Sequence, residues 1–140
     1  MGKPLAFWQA KYPQAFCWSF GDSPEMADEL VARVIAGKKR ATCCSFASYQ
    51  ANERPVTPGA MHIVLNGAGE AACVIRTLAL RIVRFHEMSA ELAALEGEGD
   101  LSLSYWQQAH RSFFEREGSW SADMELVFEE FAVIEVMAAR

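Results

Sequence analysis

An amphipathic helix that ends in a glycine and a cationic segment constrains this sequence most. Apolar residues recur at helical spacing over residues 24–36, which predicts a helix with one buried face. Ser23 in front of it is a typical N-cap, and proline suits the first helical position. Gly37 then supplies the left-handed conformation with which many helices end. Because three cations and a strand-like segment follow, the chain must turn a corner at residues 38–40.

The cations at this corner have two interpretations. At the end of a helix they lie beside exposed carbonyl groups, so they can simply compensate the helix dipole. The alternative is a reactive pair formed by Lys39 and Thr42. In a regular strand these two side chains point to opposite faces, so the pair requires a turn or bulge between them.

Length and composition limit the class of protein. With 140 residues, 51% of them hydrophobic and 22% charged, the chain is large enough for one domain, residues 1–140, with a real core. No apolar stretch approaches the ~20 residues of a membrane helix, and the first residues lack a signal-peptide core. We therefore expect a cytoplasmic protein with no membrane partner, and leave its oligomeric state open between a monomer and a weak dimer.

The net charge of −5 argues against a general nucleic-acid coat. Phosphate neutralisation supplies most non-specific affinity for nucleic acids, and it requires a basic surface. A nucleic-acid partner must therefore meet a local basic patch, or be as small as a nucleoside.

The cysteines and histidines show no metal-ligand spacing. Neither a Cys-x-x-Cys nor a His-x-x-x-His pattern occurs, and neighbouring strand residues such as Cys43 and Cys44 point to opposite faces. Free thiols are the usual state in a cytosolic protein. We therefore predict no metal site and no cofactor. We also predict that all four cysteines are free: Cys17, Cys43, Cys44 and Cys73.

Helical and strand-like segments alternate along the chain without a repeat or a linker. We predict further helices over residues 4–11 and 101–117, and strands over residues 16–20, 42–46, 61–65, 72–85 and 124–136. Residues 66–69, Asn-Gly-Ala-Gly, predict a hairpin turn. Several non-local strands with three or four helices predict an α+β fold, with a curled, barrel-like sheet and helices packed at its mouth.

A second informative stretch is residues 96–100, Glu-Gly-Glu-Gly-Asp. The simplest interpretation is an acidic loop in which Asp100 or Ser102 caps the next helix. Two glycines around Glu98, however, cost backbone entropy unless the chain bends tightly or approaches something closely. A glutamate on such a loop can act as a general acid or base when burial raises its pKa.

Together these segments resemble the ASCH family, small domains of PUA-like β-barrel architecture, over nearly the whole chain. The matching segments are residues 20–24, 27–30, 37–42, 74–77, 96–103 and 105–106, followed by His110 and residues 113–114. The resemblance implies one of several functions. The family is similar to RNA-binding PUA domains, it includes bacterial amidohydrolases that deacylate N4-acetylcytidine and related N4-acylated cytidines, and one lineage is a ribonuclease.

The resemblance to the amidohydrolases also implies catalytic residues. In those enzymes the lysine and threonine of a Gly-x-Lys-x-x-Thr motif and a glutamate of the acidic loop carry the chemistry. They match Lys39, Thr42 and Glu98 in this sequence, with Glu96 as the alternative to Glu98. Either Thr42 attacks the amide with a neutral Lys39 as its base, or Glu98 activates a water molecule and Thr42 stabilises the oxyanion.

Further residues are candidates for binding the substrate. Phe20 precedes the turn into the capped helix and is the best candidate for stacking on a pyrimidine, although such rings more often belong to the core. The polar candidates are Ser23, Lys38, Arg40 and Arg76. The implied activity is deacylation of an N4-acylated cytidine or a similar small nucleoside, with an RNA-binding module or a ribonuclease as the alternative. We also expect Lys39→Ala and Glu98→Gln to abolish turnover without lowering the melting temperature.

Overall fold

Helices and strands alternate in the computed structural model of the chain, which describes residues 3–137. The predicted domain of residues 1–140 thus has ends that lie outside the described residues. The helices are α1 (Leu5–Lys11), α2 (Pro24–Ile35), α3 (Phe46–Ala51), α4 (Ala90–Glu96) and α5 (Leu103–Glu117). The strands are β1 (Phe16–Ser19), β2 (Ala41–Ser45), β3 (Met61–Leu65), β4 (Ala71–Arg84) and β5 (Glu125–Val136). None of the helices in the described part of the chain is long and apolar enough to cross a membrane.

The five strands form one sheet in the order β1-β3-β4-β5-β2. The β1–β3 pair is parallel and the other pairs are antiparallel. Register shifts between Val74 and Ile75 and between Thr77 and Ala79 interrupt the pairing of β4 with β5. Because bulges bend a strand and increase its twist, the sheet curls into a half-barrel. The predicted α+β fold with a curled sheet is therefore confirmed.

Two hydrophobic clusters lie on either side of the candidate site. The first lies under α2 and includes Phe20, Val34 and Phe131. The second lies under α4 and α5 and includes Trp106 and Phe114. Phe20 and Trp106 are thus core residues that also reach the polar groups between the two clusters, which gives those groups a rigid surrounding.

The predicted helix over residues 24–36 is present as α2, which starts at the predicted residue and ends one residue earlier, at Ile35. The Ser23 side chain accepts a hydrogen bond from the backbone N–H of Met26 at 3.1 Å, and proline occupies the first position of α2. Gly37 has a φ of 82°, the left-handed conformation expected after the last turn. The predicted turn at residues 66–69 lies between β3 and β4.

Several predicted boundaries are wrong, and side-chain caps explain two of them. The predicted strand 42–46 ends at Ser45, because its side chain caps α3 by accepting from the N–H of Ser48 at 3.1 Å. Ser89 caps the unpredicted helix α4 in the same way. The last helix begins at Leu103 rather than residue 101, because Ser102 is its N-cap and Leu101 has a φ of 69°. The predicted strands 16–20, 72–85 and 124–136 also differ by one residue at one or more ends.

A chain of buried polar side chains connects four strands. Trp18 Nε1 donates to His62 Nδ1 at 2.9 Å, so the ring proton of His62 resides on Nε2. That Nε2 donates to Thr77 Oγ1 at 2.8 Å, and the Thr77 hydroxyl donates to Glu129 Oε2 at 2.6 Å. Since β1, β3, β4 and β5 each contribute one residue, this network fixes the register of the sheet.

We predict that Thr77→Val destabilises the fold by about 1–3 kcal/mol, because His62 and Glu129 both lose a buried hydrogen-bond partner. Urea denaturation measures the change. Thr57→Val is the matched control, since Thr57 lies exposed in a loop and its substitution should change stability by no more than about 0.5 kcal/mol. Equal effects of the two substitutions would contradict the role of the network.

Candidate active site

The Lys39 ammonium group is the centre of the candidate site, and its side chain is 0% exposed. The chain leaves α2 through Gly37, and the Lys39 N–H still donates to the Arg33 carbonyl at 3.1 Å. Lys39 therefore lies before β2 and outside its alternation. The expected turn is found at residues 36–38, before Lys39 rather than between Lys39 and Thr42. Its Nζ donates to the backbone carbonyls of Ala41 at 2.9 Å and Glu96 at 3.1 Å.

Two carboxylates flank this buried cation. Lys39 Nζ lies 2.7 Å from Glu98 Oε2 and 3.4 Å from Glu96 Oε1. Burial by itself lowers the pKa of Lys39, but the charges of Glu96 and Glu98 outweigh it and leave the pKa above its usual value of 10.5. Lys39 is therefore an ammonium ion at neutral pH.

Glu96 is the buried partner of this pair, with a side chain that is 1% exposed. Trp106 Nε1 donates to its Oε2 at 3.0 Å, and His110 Nε2 lies 3.4 Å from its Oε1. Burial by itself raises the pKa of Glu96, but the charges of Lys39 and His110 and the hydrogen bonds lower it to about 2. Glu96 is therefore a permanent carboxylate that holds three neighbours in place.

His110 and Cys43 complete the polar cluster around Glu96. The His110 Nδ1 lies 3.0 Å from the Trp106 carbonyl oxygen, which can only accept, so Nδ1 carries a proton. Burial lowers the pKa of His110, but the hydrogen bond to Glu96 and its charge outweigh this and raise it above 6.5. Burial, together with the charge of Glu96, raises the pKa of the Cys43 thiol well above 9.0, so Cys43 is a neutral thiol.

Gly97 brings the acidic loop against the segment that follows α2. It ends α4 with a φ of 64°, and a Cβ at this position would collide with the carbonyl oxygen of Lys38. The Arg40 N–H donates to the Leu95 carbonyl at 2.7 Å in the same contact. The close approach that the sequence predicted for a glycine in this loop is therefore confirmed, and its partner is the Lys39 segment.

A small pocket opens above this cluster, with a cavity volume of about 170 Å³. Walls from the β1–α2 turn, α2, β2, the acidic loop and α5 enclose it. The lining combines polar or charged side chains with aromatic rings. The polar and charged residues are Glu29, Thr42, Cys43, Glu98, His110 and Arg116, and the rings are those of Phe20, Tyr105 and Phe113. The Phe20 ring also lies above the cation, with its centroid 5.3 Å from Lys39 Nζ.

The structure brings the three predicted catalytic residues together with Phe20. Lys39 lies beneath the pocket, and the residues in the pocket wall are Thr42, Glu98 and Phe20. It does not bring the polar candidates for substrate binding into the described lining. The Ser23 hydroxyl is engaged as a helix cap. Lys38, Arg40 and Arg76 are exposed outside the pocket, so contacts with a substrate stay predictions for them.

Sequence reasoning missed the cluster of Cys43, Glu96 and His110. The sequence contains no metal-ligand spacing, yet a ligand atom of each of these residues lies within 4.8 Å of the other two. In the sequence, His110 matches the ASCH family without an assigned role. Its position four residues after Trp106 is the local signal that the two side chains meet.

We predict that Lys39→Ala destabilises the protein by about 3–5 kcal/mol, because it removes the buried ammonium partner of the Glu96 carboxylate. The burial of Lys39 thus reverses the expectation of an unchanged melting temperature. Lys38→Ala is the matched control, because the neighbouring Lys38 is exposed and its loss should cost no more than about 0.5 kcal/mol. Denaturation followed by circular dichroism compares the two, and similar midpoints would refute the buried ion pair.

Comparison with known proteins agrees with this architecture. The ASCH domain family model matches residues 16–135, a range that includes every residue of the polar cluster. An ASCH domain from Lactobacillus crispatus JV V101 is 34% identical with a TM-score of 0.81, over 86% of this chain and 80% of that chain. A protein from Enterococcus faecalis V583 is 31% identical with a TM-score of 0.82, over 94% of this chain and 87% of that chain. No curated protein matches. The chain belongs to the ASCH domain family.

Proposed function

We propose that the protein is an amidohydrolase that removes the acyl group from N4-acylated cytidine or a similar small modified nucleoside. The observation that carries this proposal is the Lys39–Glu98 ion pair, 2.7 Å long, beneath a small pocket that Glu98 itself lines. A carboxylate, a fixed cation and the Thr42 hydroxyl are groups that amide hydrolysis requires. The resemblance to deacylating members of the family supports the choice of substrate.

The protonation of Lys39 favours a water molecule as the nucleophile. A neutral lysine would be needed to take a proton from the Thr42 hydroxyl, whereas the two carboxylates keep Lys39 charged. Glu98 is the better base, because its side chain is 18% exposed and faces the cavity. Glu98 takes a proton from water, and the resulting hydroxide adds to the acyl carbonyl carbon.

The remaining groups stabilise the tetrahedral intermediate and release the amine. Thr42 donates its hydroxyl hydrogen to the oxyanion, and the positive charge of Lys39 lowers the energy of the negative charge that develops. The carbon–nitrogen bond then breaks, and Glu98 returns its proton to the departing N4 nitrogen. The products are a carboxylic acid and the free cytidine, and Glu98 is again a carboxylate.

The dimensions and charge of the site support a small substrate. A cavity of about 170 Å³ is smaller than the roughly 300–1,000 Å³ of sites for drug-sized ligands. The net charge of −5 disfavours long contacts with a phosphate backbone. Phe20 and Tyr105 instead offer rings beside the cavity on which a single base can stack.

We predict that Glu98→Gln lowers kcat/KM for N4-acetylcytidine by about 10²–10⁴-fold, because the general base is lost. Stability should change little, since Glu96 still pairs with Lys39. Glu91→Gln, an exposed position on α4, is the matched control and should retain activity. Chromatography of the released cytidine measures the rate.

The same assay tests whether hydrolysis depends on a metal ion. EDTA should not lower the wild-type rate, because Lys39 and Glu98 supply the charges that the mechanism uses. Activity that disappears with EDTA and returns with a divalent ion would contradict the mechanism and favour the ribonuclease alternative.

We also predict that the free nucleoside is hydrolysed at least as efficiently as an oligonucleotide that carries the same modified base. Measurement of kcat/KM for N4-acetylcytidine, its nucleotide and a short acetylated RNA at two salt concentrations tests this. A preference for RNA above about a hundredfold that collapses with salt would refute the nucleoside as substrate and support RNA binding.

A further inference from the structure

We propose that Cys43, Glu96 and His110 form a binding site for Zn²⁺ at the floor of the pocket. The Cys43 Sγ, a Glu96 carboxylate oxygen and a His110 ring nitrogen all lie within 4.8 Å of one another. Structural zinc sites have four protein ligands, whereas catalytic zinc sites have three ligands drawn from cysteine, histidine and carboxylate side chains and leave one position open. Because β2, α4 and α5 each contribute one ligand, the fold assembles this set although the sequence shows no ligand spacing.

The orientation of His110 favours coordination through Nε2. Its Nδ1 donates to the Trp106 carbonyl at 3.0 Å, which leaves Nε2 on the side of Glu96, 3.4 Å from Oε1. Metal-bound histidines usually donate their other ring N–H to a carbonyl or carboxylate in this way. The imidazole also stacks on the Trp106 ring, with centroids 4.3 Å apart and planes 16° apart, so its orientation is fixed before an ion arrives.

An ion can reach this cluster, and the donor types select for zinc. Cys43 and His110 both line the pocket, so an ion has a path inward and its fourth position opens to the cavity. A thiolate with an imidazole and a carboxylate suits Zn²⁺, whereas Mg²⁺ and Ca²⁺ prefer oxygen ligands.

Coordination keeps the cluster electrically balanced. The Cys43 thiol gives its proton to solvent, and Nε2 gives up any proton that it carries. The thiolate, Glu96 and Glu98 then carry three negative charges, which balance the two positive charges of Zn²⁺ and the one of the Lys39 ammonium group. Only small side-chain rotations are required, because the three ligand atoms are already close to one another.

Bound zinc would act as an inhibitor rather than a cofactor, an effect that rests on the proposed function. The ion draws Glu96 away from Lys39 and places a second cation beside it, at the base of the cavity that the substrate would enter. The binding site itself does not depend on that function. Inhibition is measured in the deacylation assay, where added Zn²⁺ should lower the rate and EDTA should restore it, and an unchanged rate in zinc-loaded protein would overturn the inhibition.

Cobalt(II) is the probe for binding, because it occupies zinc sites and absorbs light when a thiolate coordinates it. Titration of the chelator-treated full-length protein should give one equivalent of a near-ultraviolet thiolate-to-cobalt band, which Zn²⁺ then abolishes. Cys43→Ser should remove the band, and His110→Asn should weaken Zn²⁺ binding by at least about tenfold, since even indirect partners of a metal contribute that much. Cys44→Ser is the matched control, because Cys44 is the adjacent half-buried cysteine and lies outside the cluster.

The outcomes separate the two proposals. A folded wild-type protein without the band, or a band that Cys44→Ser removes and Cys43→Ser retains, would overturn the zinc site. Persistence of tight Zn²⁺ binding in a folded His110→Asn variant would also overturn it. If the band behaves as expected and no deacylation occurs under any condition, the zinc site stands and the proposed function fails.

Discussion

The buried ion pair between Lys39 and Glu96 is the interaction on which the rest of the site depends. An ammonium group at 0% exposure is tolerated only when its desolvation is offset, and here two backbone carbonyls and two carboxylates surround it. The same pair joins the end of α2, the start of β2 and the end of α4, while Trp106 and His110 connect Glu96 to α5. The contacts that stabilise the buried ammonium group therefore also hold α2, β2, α4 and α5 together.

Two glutamates separated by one glycine have different environments and therefore different roles. Glu96 is 1% exposed and permanently ionised, so it neutralises Lys39 and positions Trp106 and His110. Glu98 is 18% exposed and lies in the pocket wall, where a ligand can reach it. Because Glu96 also pairs with Lys39, the buried cation keeps a carboxylate partner if Glu98 turns toward a ligand.

Local sequence rules predicted the longer helices and strands, and the family resemblance predicted that Lys39, Thr42 and Glu98 belong to one site. Neither predicted the short helices α3 and α4 or the grouping around Glu96. Helix α2, its Ser23 cap and the glycine after it follow from local rules and are present. Helices α3 and α4 are short, and their serine caps were not recognised. The sequence pattern around Lys38 and Lys39 does not show which of the two lysines is buried, because the conformation of the turn after α2 determines where each side chain points. The grouping of residues around Glu96 depends on three separate elements, which no local pattern reveals.

The contact of Gly97 with the Lys38 carbonyl has a consequence for how this site varies between related proteins. The contact is made by main-chain atoms, so it places no demand on the side chain at position 38 but excludes any side chain at position 97. Replacement of the Glu98 side chain leaves this main-chain contact in place, whereas a Cβ at Gly97 would separate the two charged segments. The residue that best marks this site in a sequence is therefore one that bears no functional group.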